Sequence, residues 1–127
     1  MKTFEQVKTI LNNRINKLKI DIEFLTDLKD ESFDFEKQLK FKNLLKNNLK
    51  VIYQNQYEIT ELMLLCRKFE YCNENDFIEE IDYFKDSYKN SLLNNPIPST
   101  TSMVYNICCM WELEVNQRLL KFLEKLV

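Results

Sequence analysis

LKNNLKVIYQNQYEITELMLLC, residues 45–66, decides the fold. Leu45, Leu49, Ile52, Ile59, Met63 and Cys66 recur at helical spacing, the pattern of a seam on one face of an α-helix. Gln56 is the polar interruption in that seam. Neither glycine nor proline breaks the run, so the predicted helix grows in both directions, to about residues 34–71.

Working outward towards the N-terminus, Lys29 to Phe33 reads as a turn, with Asp30 or Ser32 available to cap the long helix. Before it lies a second seam. Phe4, Leu11, Leu18 and Leu25 are spaced by seven, and Ile15 and Ile22 fill the intermediate row. Thr3 and Gln6 fit a capping box, which starts this helix at about residue 3 and carries it to 28. Towards the C-terminus, Asn73 to Asn75 ends the long helix, and the acids that follow suit a new helix start at about 76–93. Its stripe is Phe77, Ile81, Phe84 and Tyr88. Pro96 and Pro98 mark a loop over 94–99. The last helix runs over about 100–126, with Val104, Cys108, Trp111, Val115, Leu119, Phe122 and Leu126 on one face. Strict apolar/polar alternation, the strand signature, persists nowhere. The expected fold is all-α: a helical bundle of about four helices, coiled-coil-like, built on a long antiparallel hairpin and forming a single domain over 1–127.

Charge supports the hairpin. Residues 37–50 hold five lysines and no acid, whereas 20–36 hold seven acids and one lysine. Folding about residues 30–33 would set Asp21, Glu23 and Asp27 near Lys37, Lys40 and Lys42.

Composition narrows the function classes. The 127 residues include no glycine, histidine or alanine. Without glycine no phosphate-cradling loop can form, and without histidine the commonest general base and metal ligand are gone. Lysine, asparagine and isoleucine have codons rich in A and T, so the gene points to an AT-rich bacterial genome, its phage or another mobile element. Cys66, Cys72, Cys108 and Cys109 lack zinc-ligand spacing and read as small apolar packing residues of a reducing, cytoplasmic compartment. No secretory signal or membrane-spanning run is read. Glu112 and Glu114 are two apart on a helix and diverge, so they make no acid/base pair. A non-enzymatic protein without cofactor or metal is expected.

Three surfaces are candidates for binding. The last helix has a second apolar set, in which Met110, Leu113, Leu120 and Val127 stand on a face other than its main stripe. A helix apolar nearly all round is either central in its bundle or an interface. An acidic face comprises Asp76, Glu79, Glu80, Asp82 and Asp86, and a basic face Lys37, Lys40, Lys42, Lys46 and Lys50. Net charge is −2, which does not favour a dedicated nucleic-acid binder. The reading that emerges is a protein-binding factor: an inhibitor, immunity or regulatory protein of a phage or mobile element, pairing as a homodimer through the last helix. The alternative is a nucleic-acid-associated accessory protein that uses the lysine face.

Overall fold

The computed structural model describes residues 2–27, 35–94 and 103–126, and side chains within these outside 26–48 and 94–106. Four helices account for nearly all of it: α1 (Phe4–Asp27), α2 (Phe35–Glu70), α3 (Phe77–Asn94) and α4 (Met103–Leu126). The expected all-α bundle is what forms, and there is no strand among the described residues.

The first helix starts as the capping box requires. The Thr3 backbone N–H donates to Gln6 Oε1 at 2.9 Å, and the Gln6 N–H donates back to Thr3 Oγ1 at 3.2 Å. Two amide groups that the first turn leaves orphaned are thereby satisfied. Thr3→Ala is expected to lower stability by about 1 kcal/mol, within the roughly 0.5–2 kcal/mol span of such caps. Urea unfolding checks this, and an unchanged midpoint would mean that the first turn frays freely.

Helix directions follow from which residues meet. Phe4 packs on Phe69 and Arg14 binds Glu58, so α1 and α2 are antiparallel. Phe69 meets Phe77, and Tyr88 reaches back to Glu61, so α3 is antiparallel to α2. Lys50 with Glu114, Tyr57 with Asn116 and Glu58 with Arg118 run in step, so α2 and α4 are parallel. Of the four helices, α2 packs against each of the other three. The sequence reading asked whether α4 is the central helix; the central one is α2.

One end of the bundle is closed by aromatic rings. Phe4, Phe69 and Phe77, from three helices, meet with centroids 5.3–6.2 Å apart, and Lys8 Nζ sits 4.4 Å from the Phe4 ring centroid. The core above them is built from Val7, Leu11, Ile15 and Leu18 of α1, Leu62 and Leu65 of α2, Ile81, Phe84 and Tyr88 of α3, and Val115, Leu119 and Leu123 of α4. The expected stripe of α3 is therefore buried, and that of α1 is buried at Leu11, Ile15 and Leu18 and half-buried at Phe4, Ile22 and Leu25. That of α4 is buried along Val115, Leu119 and Leu126, with Phe122 half-buried.

The seam of α2 is corrected by one position. Ile59 is buried as expected, but Leu49 and Met63 are exposed and Ile52 and Cys66 only half-buried, and the Leu45 side chain lies outside the described residues. The buried row is Asn55, Glu58, Leu62, Leu65 and Phe69. Its upper part is polar, which is why the sequence makes it look like a solvated face.

The charge pairing of the first hairpin is also shifted. With Arg14 opposite Glu58, Asp21 and Glu23 fall level with about residues 49–51 of α2, not with Lys37, Lys40 and Lys42. The side chains of those lysines and of Asp27 lie outside the described residues.

Candidate protein-interaction surface

A polar layer crosses the bundle above the apolar core. At its centre Glu58 is 1% exposed. Arg14 Nε donates to its Oε2 at 2.7 Å, and Arg118 Nε donates to its Oε1 at 2.6 Å. One carboxylate of α2 thus ties α1 and α4 together. A buried carboxylate is costly unless paired and hydrogen-bonded, and here both oxygens are engaged. Beside it, Tyr57 donates to Asn116 Oδ1 at 2.8 Å, and Asn116 Nδ2 donates to Ser91 Oγ at 3.1 Å. Gln54 Nε2 donates to the Trp111 carbonyl at 3.1 Å and to Glu114 Oε2 at 2.8 Å. Tyr53 donates to Glu112 at 2.9 Å, and Tyr88 to Glu61 at 3.0 Å. Among the described residues no buried side-chain N or O lacks a partner.

The layer holds its tyrosines neutral. Burial first, then the Glu61 charge, pushes Tyr57 up to about 12. Burial and Glu61 likewise push Tyr88 up, and burial and Glu112 push Tyr53 up. A phenol raised in the folded state ionises first in the unfolded state. The stability it contributes is complete below the unfolded value of about 10 and is lost as pH rises through the folded value. Stability is therefore expected to fall steadily between about pH 10 and pH 12. Phenolate absorbance measured with and without urea checks this; coincident titration curves would contradict it. Hydrogen bonds from Gln54 and Lys50 hold the Glu114 carboxyl below its usual range.

The expected interface on α4 is only partly free. Met110 is 48% exposed, and Ile107 beside it is exposed too. Leu113 is half-buried, whereas Leu120 is half-buried and packs against the core. Val127 lies outside the described residues. The second apolar set is thus consumed in part by the wide face that α4 turns to its neighbours, and Leu123, which belongs to it, is fully buried.

The exposed apolar surface sits mainly at the end beyond the polar layer. Ile20 (63%) and Phe24 (67%) stand four apart on the outer side of α1. Leu49 (47%) and Val51 (40%) are on α2, Leu92 and Leu93 at the end of α3, and Ile107 and Met110 on α4. Singly such residues are ordinary; several towards one end make that end the candidate interaction surface. Sequence periodicity did not pick out Ile20 and Phe24, because the eye follows the buried row and discounts apolar residues off it.

The acidic face is a solvated helix surface. Asp76, Glu79, Asp82 and Asp86 are exposed and Glu80 is half-buried, with Asp82 paired to Lys85 at 3.2 Å. The Asp76 N–H donates to the Asn73 carbonyl at 2.9 Å, and Glu79 and Glu80 occupy the first turn, where the helix dipole favours acids. Of the basic face, Lys50 is engaged with Glu114 at 3.0 Å; the side chains of Lys37, Lys40, Lys42 and Lys46 lie outside the described residues. Cys66, Cys72, Cys108 and Cys109 are all half-buried free thiols, and burial pushes those of Cys66 and Cys72 up. No group of three His, Cys, Asp or Glu among the described residues is placed to hold a metal ion. None of the described helices is long and apolar enough to cross a membrane.

Comparison with protein-family models, with curated proteins and with solved structures finds no match.

Proposed function

We propose that this chain is a non-enzymatic, cytoplasmic protein-binding factor that engages a partner protein through the apolar end of its bundle. The observation that carries this is the exposed pair Ile20 and Phe24 on the outer side of α1. Fully burying side chains of this size is worth about 1.5–3 kcal/mol each, so two of them supply the core of a contact patch. The polar layer beneath supports the same reading. It fixes the helices against one another, so the patch is displayed on a preorganised frame. The AT-rich composition supports a role as inhibitor, immunity or regulatory protein of a phage or mobile element. Pairing as a homodimer completes the proposal.

The test is affinity capture from lysate of an AT-rich bacterial host, with the unmodified chain and the Ile20→Lys/Phe24→Lys variant as parallel baits. The expected result is a stoichiometric protein held by the first bait and lost with the second. A captured protein indifferent to these substitutions would move the interface elsewhere. Catalytic turnover detected in a broad hydrolase or transferase screen would overturn the non-enzymatic reading.

A further inference from the structure

The polar contacts that join the helices are unevenly shared. Tyr53 with Glu112, Gln54 with Trp111 and Glu114, Tyr57 with Asn116, Asn116 with Ser91, and Tyr88 with Glu61 all bind α2, α3 and α4 to one another. α3 and α4 also pack closely on each other as well as on α2. α1 is held differently. It packs closely on α2 alone and meets α3 and α4 only lightly, as where the Phe4 ring touches Phe77. From Phe4 to Leu18 it lies level with about residues 54–69 of α2, an interval in which every side chain of both helices is described. Over that interval the one polar contact between described side chains of α1 and another helix is Arg14 with Glu58. The remainder is the apolar row of Val7, Leu11, Ile15 and Leu18. Glu58 stands where the two sets meet. Arg14 Nε donates to its Oε2 and Arg118 Nε to its Oε1, so the carboxylate keeps a charged partner when α1 is taken away.

We propose that α1 is a strap, which unlatches from the bundle as a unit while α2, α3 and α4 stay folded and Glu58 passes from two arginines to Arg118 alone. The inference rests on this distribution of contacts and not on the protein-binding reading above. Apolar packing is non-directional, so a helix with a single polar latch has the fewest specific ties to break. Off the bundle, α1 loses the packing that supplies most of a helix's stability, and its amides open to exchange with water. The other three helices retain their mutual contacts and their protection.

Native-state hydrogen exchange on the full chain, read peptide by peptide by mass spectrometry, tests this. The slowest amides of residues 7–18 are expected to exchange at least about tenfold faster than the slowest of residues 115–123, relative to their intrinsic rates. Their exchange should also respond more weakly to urea, because opening α1 exposes less surface than unfolding the whole chain. Arg14→Met is expected to quicken exchange in α1 about tenfold. Arg118→Met is expected to quicken α4 and leave α1 unchanged, because the Glu58–Arg118 pair is intact whether α1 is on or off. Equal rates and equal urea slopes in α1 and α4, or a slower α1, mean that the four helices unfold together and overturn the inference. An Arg118→Met variant in which α1 and α4 quicken alike overturns it equally.

Discussion

Glu58→Ala is expected to destabilise the protein by about 3–5 kcal/mol, a large share of the roughly 5–15 kcal/mol that holds a domain of this kind together. The carboxylate is 1% exposed and joins Arg14 and Arg118 from two other helices. Its removal leaves two guanidinium groups without their acceptor and a cavity between three helices. Arg14→Met and Arg118→Met are each expected to cost less. Either one leaves Glu58 with one partner, and both arginine side chains reach water, at 27% and 42% exposure. Replacing all three together, as Arg14→Met/Glu58→Leu/Arg118→Met, should recover most of the loss, because an apolar layer pays no desolvation penalty. Urea unfolding of the four variants measures the set. If Glu58→Ala shifts stability by less than about 1 kcal/mol, the carboxylate is not the tie between these helices.

Leu65→Ala is expected to cost about 2–5 kcal/mol, whereas Met63→Ala, two residues away on the same helix, should stay within about 0.5 kcal/mol of the unmodified chain. Leu65 is fully buried at the meeting of α2 with its neighbours, and Met63 is exposed. The contrast is sharp because the spacing of residues 45–66 places Met63, not Leu65, in the seam. Chemical denaturation of the two variants decides between the two faces of α2. A large loss at Met63 with little at Leu65 would turn the helix back by one position.

That face of α2 shows where sequence reading stops. The rows of α1 and α3 are legible because their apolar residues are surrounded by charge and point one way: Leu11, Ile15 and Leu18 in one, Phe77, Ile81 and Phe84 in the other. The Thr3–Gln6 cap is legible because it is local. In α2 the choice of face depends on partners more than forty residues away. Gln54 and Glu58 look like a solvated face until Arg14, Trp111 and Arg118 are brought to them. Met110 keeps its expected exposure, but Leu120 turns inward because α4 packs on two helices and needs a wide apolar face to do so. The exposed end was illegible for a related reason. Which apolar residues stay exposed there, Ile20 and Phe24 among them, is set by how the helices pack.

The polar contacts between α2 and α4 also act as a key that sets their vertical alignment. Apolar packing alone tolerates a slip of one heptad between parallel helices, since Val115 and Phe122, or Leu119 and Leu126, stand seven apart and can exchange places. The paired side chains cannot. Slipped seven residues one way, Lys50 leaves Glu114 for Lys121, and like charges meet. Slipped the other way, Glu58 leaves Arg118 for Trp111, and a buried carboxylate faces an aromatic ring. A chain without glycine or alanine has few small side chains with which to notch its helices together. In their place a ladder of unlike polar partners admits one alignment and rejects its neighbours.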